Sequence, residues 1–370
     1  MTKPIGLYVH IPFCVRKCNY CDFCSVSERE HEMQKYVDVL ISEIESYKTK
    51  NVLLDTVFIG GGTPSLLSPK LFEALVRAIF QSFNVTSDAE FSVEANPGTL
   101  TREKLALYKS LGVNRLSLGV QSVHENELKM LGRIHTYDEF LVTYNMAREL
   151  GLDNINVDLM YGIPYQTVAS FERTLESVIS LSPEHISCYG LIIEEGTPFF
   201  KYKDKLPLPT EDEECDMYYL ADSKLEACGY VHYEISNYSK PNKFCRHNLK
   251  YWKDEEYIGV GLSAHSYFEN TRYYNSDVFS EYYENFSAKY EYENRGCNKD
   301  PFEYVMLAMR LSDGLFLSQY EEIFGTSFLS GREEKISLYI SQGLMLLSDD
   351  RLSLTPKGFY VSNSILTELL

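Results

Sequence analysis

An α/β fold built on an incomplete barrel of six parallel strands is the architecture this sequence predicts, and three observations predict it. Six short runs rich in β-formers, at residues 7–11, 56–59, 90–93, 115–119, 155–159 and 185–193, alternate with amphipathic segments. Strands separated by helices of this length pair in parallel through crossover connections. Polar or glycine-rich residues follow the runs at their ends, where parallel α/β sheets keep their ligand sites. The strand count and span suit a partial (β/α)6 barrel rather than the closed eightfold one.

The helices between the runs have readable ends. Ser68 reads as an N-cap with Pro69 at the first helical position, and Leu71, Leu75 and Ile79 mark the apolar face. Thr101 opens another helix, which Gly112 closes after Leu111. A third covers about residues 137–150 and stops at Gly151. Beyond the sixth run, Pro207-Leu-Pro209-Thr210 and the acidic residues 211–214 read as a linker or surface turn before a helix ending near Gly229. A β-like stretch at 230–238 precedes a polar-aromatic cluster, Cys245-Arg246-His247-Asn248-Leu249-Lys250-Tyr251-Trp252. From about Asp300 the chain reads as a small helical unit with a hairpin-like turn at Asp349-Asp350 and a last helix, a winged-helix-like pattern. That unit is not basic, and its fold alone does not imply DNA binding. The expected division is residues 1–200 for the partial barrel, 201–297 for an α/β extension of it, and 298–370 for the winged-helix-like part.

Composition narrows the function classes. The 370 residues are 44% hydrophobic and 24% charged, ordinary for a globular chain. A net charge of -18 argues against nucleic acid, whose phosphates call for clustered Lys and Arg. No run of about 18 apolar residues exists to span a membrane, and nothing near residue 1 reads as a signal peptide. Nine cysteines, an odd number in a chain too large to need disulfides, fit a reducing, cytoplasmic setting. The tyrosines, 29 in all, crowd residues 267–292, where packing and surface roles suffice to explain them.

Chemistry enters with Cys14, Cys18 and Cys21, spaced C-x3-C-x2-C after the first strand. Three thiolates on one loop can hold three corners of a cubic iron–sulfur cluster, leaving the fourth iron for a small molecule. A structural zinc site wants a closed set of four ligands; Cys24 is a fourth candidate, but no later cysteine or histidine pair repeats the spacing. The turn Gly60-Gly61-Gly62-Thr63-Pro64 follows the second strand, and its N–H groups can receive carboxylate oxygens of a cluster-bound ligand, with Gly61, Gly62 and Thr63 the chosen positions. Glu94, Gln121 and Asp158 follow the third, fourth and fifth strands and can accept from an ammonium group or ribose hydroxyls, while Arg133 can pair with a carboxylate. Tyr8 and Tyr20 flank the cysteines, to stack on an adenine ring or simply to pack.

These residues resemble the radical S-adenosylmethionine (SAM) superfamily, in which the methionine moiety chelates the open iron and cluster reduction can cleave the sulfonium to a 5′-deoxyadenosyl radical. Within it, Tyr8-Val-His-Ile-Pro-Phe-Cys14, Gly60-Gly-Gly-Thr-Pro64, Ser117-Leu-Gly-Val-Gln-Ser122, Leu131-Gly-Arg133 and Asn156-Val-Asp-Leu-Met-Tyr-Gly-Ile-Pro164 are similar to the group containing oxygen-independent coproporphyrinogen III oxidase and the HemW heme chaperones, over nearly the whole chain. The resemblance implies a radical SAM barrel with a [4Fe-4S] cluster on Cys14, Cys18 and Cys21, and SAM held by Tyr8, Tyr20, Gly61, Gly62, Thr63, Glu94, Gln121, Arg133 and Asp158. The oxidase has a further cysteine two positions after its third cluster cysteine, where Phe23 stands here, and an extension before the first strand for which this sequence leaves no room. His247-Asn248-Leu249-Lys250-Tyr251-Trp252 matches the H-N-x-x-Y-W signature associated with heme in the chaperones.

Imidazole is a common axial ligand of heme iron, so His247 is the candidate, with Cys245 as rival. The purely structural alternative is a buried His and Asn closing a loop, with Trp252 as core anchor. His265 is a candidate to close over the adenosyl site. The expected function is a heme chaperone rather than an enzyme. It would bind heme, a [4Fe-4S] cluster and SAM, and pass heme to apo-hemoproteins, including respiratory ones at a membrane, which would require peripheral contact. Its expected state is a monomer or a cluster-dependent dimer. The alternatives are a coproporphyrinogen-decarboxylating radical oxidase and a radical enzyme with an unrelated substrate.

Overall fold

The structure, a computed structural model, describes residues 3–294 and 299–370, with the side chains of residues 290–294 outside what is described. All six expected strands are present: β1 (Ile5–Ile11), β2 (Leu53–Gly61), β3 (Asn84–Ala95), β4 (Arg115–Gln121), β5 (Ile155–Tyr161) and β6 (His185–Gly190). They lie side by side in that order, each parallel to the next. The helices Met33–Ser46, Pro69–Ser82, Arg102–Ser110, Tyr137–Glu149 and Val168–Ser180 cover the outside. Their starts follow from the sequence: Ser68, Thr101, Thr136 and Thr167 each accept a backbone N–H of the first turn, the last two in reciprocal capping boxes. Leu71, Leu75 and Ile79 are buried, as their spacing requires.

Two features differ from expectation. Residues 211–214 are not a surface turn but the first turn of the helix Glu211–Ala227, capped by Thr210. Acidic side chains there complement the partial positive charge of a helix N-terminus, so they mark a helix start. The sheet also extends past the six strands. On one side β6 pairs antiparallel with the second strand of a hairpin, β7 (Val231–Glu234) and β8 (Asn237–Ser239). On the other, β9 (Tyr257–Val260) pairs parallel with β1, and β10 (His265–Phe268), β11 (Thr271–Asn275) and β12 (Lys289–Asn294) continue antiparallel, giving twelve strands among the described residues.

A second core, with Val305, Phe328, Met345 and Leu366 among its members, fills the C-terminal part. Among the described residues it has five helices, Pro301–Ala308, Leu317–Phe324, Glu333–Ser341, Pro356–Tyr360 and Ser362–Leu369, and a small sheet of β13 (Leu315–Phe316), β14 (Met345–Ser348) and β15 (Arg351–Leu354), the hairpin turning at Asp349 with φ 45°. This is the winged-helix-like pattern. Tyr218 on the Glu211–Ala227 helix joins this core, and its hydroxyl donates to the Pro356 carbonyl at 3.0 Å. The expected boundary at 297/298 falls outside the described residues.

Glu43 ties the extension to the barrel. It is fully buried and accepts from Gly261 N at 2.8 Å, Asn275 Nδ2 at 2.9 Å and the Tyr282 hydroxyl at 2.8 Å, and it pairs with Lys289. Replacing it with alanine strands buried donors. Glu43→Ala is therefore expected to cost about 3 kcal/mol, read as a lower urea midpoint. Glu45→Ala, on the exposed side of the same helix, is expected to cost under about 0.5 kcal/mol; equal losses would contradict the tie.

Candidate functional site

The chain leaves β1 at Ile11 and makes a loop carrying Cys14, Cys18 and Cys21. Main-chain bonds fasten that loop on several sides. Cys14 N donates to Val26 O at 2.8 Å and Val26 N to Pro12 O at 2.7 Å; Asn19 N donates to Leu131 O at 2.9 Å, and Phe199 N to Asn19 O at 2.9 Å. From the glycine turn, Gly62 N donates to Ile11 O and Thr63 N to Phe13 O, both at 2.8 Å.

A cavity of about 530 Å³ opens at this rim. It brings together Cys14, Cys18, Cys21, Tyr20, Gly61, Gly62, Glu94, Gln121, Arg133 and Asp158, contributed by the cysteine loop, the C-terminal ends of β2 to β5 and the turn that holds Arg133. Each thiol has its own support: the Thr63 hydroxyl donates to Cys14 Sγ at 3.6 Å, Arg133 Nη1 to Cys18 Sγ at 3.7 Å, and Ser25 Oγ lies 4.0 Å from Cys21 Sγ. Burial pushes the Cys14 and Cys21 thiols up, so their thiolates call for a metal cation. Among the described residues no three His, Cys, Asp or Glu side chains gather tightly enough for a single ion. A structural zinc site closes four ligands on one ion, whereas a cube takes each thiolate on a different iron. The donor set, three sulfurs with no fourth, fits the cube.

The glycine turn does a different job from the one expected. Gly62 N and Thr63 N are committed to the cysteine loop, and Gly61 N donates to Glu94 Oε2 at 2.9 Å. All three N–H groups are engaged by acceptors of the chain itself, while Gly61 and Gly62 still line the cavity. The glycines instead permit close approach: a Cβ on Gly62 would sit 2.7 Å from Phe13 O and 3.0 Å from Cys14 Sγ. Gly61 has φ +110°, and a Cβ there would meet the His10 ring at 2.5 Å. Thr63 is buried behind Cys14 rather than in the cavity wall.

The cavity's charged groups follow from its burial. The Glu94 carboxyl is pushed up to about 7, first by burial and then by the Asp158 charge. Asp158 is also raised by burial, and accepts from Asn156 Nδ2 at 2.6 Å and Ser117 Oγ at 3.3 Å. Arg133 Nη2 is fixed by Asn96 Oδ1 at 2.7 Å and by the Gly119 carbonyl. Gln121 stands at φ +70°, with Ser122 N donating to Val120 O at 2.9 Å around it: a γ-turn, a strained form that turns the β4 end. Its Oε1 accepts from the Tyr189 hydroxyl at 2.9 Å. Asn96 and Tyr189, both lining the cavity, went unselected from the sequence; Asn96 sits inside the rim motif Glu94-Ala-Asn-Pro97, and its amide bridges Arg133 and Thr63.

Tyr8 lies elsewhere. It lines a second cavity of about 310 Å³ that shares Phe23, Gly61 and Glu94 with the first. Cys24 lines this second cavity, apart from the other three cysteines, and so does His265, which was expected over the adenosyl site. The Tyr8 hydroxyl meets His10 Nδ1 at 2.9 Å, and His10 Nε2 meets the Cys24 carbonyl at 2.8 Å. A carbonyl only accepts, so Nε2 carries the proton and Tyr8 donates to Nδ1.

The signature cluster forms the helix Arg246–Trp252, packed against the barrel strands. Glu90 accepts from Arg246 N and His247 N, both at 3.1 Å, at that helix's start. His247 is 1% exposed and lines neither cavity. Its Nδ1 lies 2.8 Å from Thr56 Oγ1 and its Nε2 2.8 Å from the Tyr251 hydroxyl, so neither nitrogen is open to an iron in this arrangement. Burial, with the Lys250 and Arg115 charges, pushes it down to about 3. Cys245 is fully buried against Glu90, its thiol pushed up to about 12 by burial. Both expected axial ligands, His247 and Cys245, are thus buried and engaged by the chain's own groups, while Trp252, the core anchor of the structural alternative, is only half-buried.

Comparison with known proteins adds to this geometry. The profile of the Radical SAM superfamily matches residues 8–178, and that of the HemN C-terminal domain matches residues 298–361. The chain is 36% identical to the heme chaperone HemW of Bacillus subtilis (strain 168), over 97% of each chain. It is 34% identical to the heme chaperone HemW of Lactococcus lactis subsp. lactis (strain IL1403), over 100% of this chain and 98% of that one. Among solved structures, the coproporphyrinogen III oxidase HemN of Escherichia coli superposes with a TM-score of 0.85 over 99% of this chain and 90% of that one, at 24% identity.

Two predictions follow from the site. After anaerobic reconstitution, iron and sulfide should fall to near zero in Cys14→Ala, Cys18→Ala or Cys21→Ala and stay at the parent level in Cys24→Ala; loss in the last would join it to the cluster set. Glu94, with its folded value near 7 and an ordinary value of 4.5, favours the folded chain fully below pH 4.5 and loses that contribution as pH rises toward 7. Glu94→Gln should therefore remove up to about 3 kcal/mol of pH dependence across this window, measured by urea melts of the metal-free protein. An unchanged slope would mean that Glu94 is solvated.

Proposed function

The chain belongs to the heme chaperone HemW family of the radical SAM superfamily, and from that membership we propose that it holds heme beside a cluster-and-SAM site and delivers it to apo-hemoproteins. Membership of the superfamily implies a [4Fe-4S] cluster and SAM. The observation that carries the chaperone reading is the full-length identity with HemW proteins. The oxidase shares the fold at 24% identity, which supports no transfer of its chemistry.

On this reading Cys14, Cys18 and Cys21 hold the cluster, and the 530 Å³ cavity takes SAM. When bound, the cluster supplies one-electron chemistry next to a sulfonium. The chain's own contribution is orientation. Glu94 and Asp158 accept from the ligand's ammonium and ribose hydroxyl groups, and a cationic ligand draws the Glu94 proton off. Arg133 sets a positive charge at the Cys18 side, where it balances thiolate and faces carboxylate. Thr63 supports Cys14 from behind, and Tyr20 supplies a flat wall. Tyr8 serves the second cavity rather than the first.

Heme titrated into the reconstituted protein should give a stoichiometric, shifted Soret band, and the loaded protein should pass heme to an apo-hemoprotein. Incubation with coproporphyrinogen III, SAM and a reductant under anaerobic conditions should give no vinyl product. Vinyl product without stoichiometric heme binding would replace the chaperone reading with the oxidase one.

A further inference from the structure

The signature helix reaches open space through its tyrosine, not its histidine. Tyr251 lines the second cavity, while His247 lies behind it, its Nε2 on the Tyr251 hydroxyl and its ring stacked on Phe58 at 5.3 Å between centroids. Three tyrosines, Tyr8, Tyr251 and Tyr257, contribute to the wall of that cavity, which is the composition a flat macrocycle packs against. A cavity of about 310 Å³ has room for part of a porphyrin, with an edge left outside for hand-over. It also opens beside the cluster cavity, since Gly61, Glu94 and Phe23 belong to both walls, and Phe23 is 63% exposed at their mouth.

Cys24 completes the site. It lines this cavity and not the first, so it is free of the cluster loop's task. Its position is fixed rather than loose: its carbonyl is held by His10, and Val26 just beyond it pairs with Pro12. Thiolate sulfur is an established ligand type for heme iron. The ammonium of Lys17, donating to the Phe23 carbonyl at 2.9 Å, puts a positive charge beside the mouth where a propionate would lie. Two histidines also lie on the wall: both ring nitrogens of His10 are engaged, by the Tyr8 hydroxyl and the Cys24 carbonyl, and the His265 ring is stacked on Tyr274 at 5.1 Å.

Resting on the heme chaperone reading, we propose that the second cavity is the porphyrin site: Cys24 Sγ ligates the iron, Tyr251 forms the ring wall, and His247 is a positioning residue that fixes Tyr251. No bond in the porphyrin is made or broken; one thiol proton is released as sulfur takes the iron.

The test titrates hemin into cluster-loaded protein and records the visible and electron paramagnetic resonance spectra. Cys24→Ser should abolish the thiolate-type spectrum and weaken heme at least about tenfold, with iron and sulfide content of the cluster unchanged. Tyr251→Leu and His247→Ala should each weaken heme while keeping the thiolate-type spectrum, and the double variant should be no weaker than Tyr251→Leu alone. A His247→Ala variant that loses the axial-ligand signature while Cys24→Ser keeps it overturns the proposal. So does a His265→Ala variant that does the same, or a second SAM molecule bound per chain that Tyr251→Leu displaces. Parent protein that binds no hemin at all would instead be a failure of the chaperone reading, before any variant is compared.

Discussion

The cysteine loop is shaped by main-chain bonds to the rest of the fold. Its ends are zipped to each other by Cys14, Val26 and Pro12, its start is bonded to the glycine turn, and its middle is clamped between Leu131 and Phe199. Each such bond is worth only about 1 kcal/mol net. Fixing one residue's backbone costs about 1–2 kcal/mol of conformational entropy. Together these bonds offset part of that cost along the loop. The three-sulfur corner therefore faces a cavity of fixed shape.

Charge in that cavity is kept in tension. Glu94 and Asp158 are carboxyls drawn out of water near each other, and Arg133 is held beside Cys18. Desolvation alone would disfavour all of them as ions. A ligand carrying both an ammonium or sulfonium cation and a carboxylate relieves both ends at once. The glycine turn contributes by letting Glu94, the cysteine loop and β2 approach within hydrogen-bonding reach, not by offering its own N–H groups.

Much of this was legible in the sequence, for definable reasons. Six strands with helices between them repeat a local pattern, and parallel topology places every strand end at one rim, so residues chosen at those ends met in one cavity. What failed was side-chain direction and depth. Tyr8 lies three residues before the end of β1, and its wall is completed by Tyr257 on β9, a four-residue strand followed by Gly261 and carrying no periodic signal. His247 was chosen for its chemistry, but its partner Thr56 is 191 residues away in sequence, and nothing local announces that contact. The N–H groups of Gly61, Gly62 and Thr63 were assigned to a ligand because their own partners lie on other elements, β1 with the loop after it and β3. The acids at 211–214 were misread because a charged run at a helix start looks like solvated linker until the Thr210 cap is weighed.

The two cavities lie side by side and differ in their walls. One space is walled by sulfur and charge, the other by aromatic faces, and Glu94 with Gly61 forms the partition between them. The central claim is that three cysteines leave one corner of an iron–sulfur cube to an external ligand. Mössbauer spectroscopy of anaerobic, 57Fe-reconstituted protein tests it most directly, with and without SAM. One iron distinct from the other three, with parameters that shift when SAM is added, is the expected result. Four equivalent irons unmoved by SAM, or a chain that takes up zinc and no iron, would contradict it.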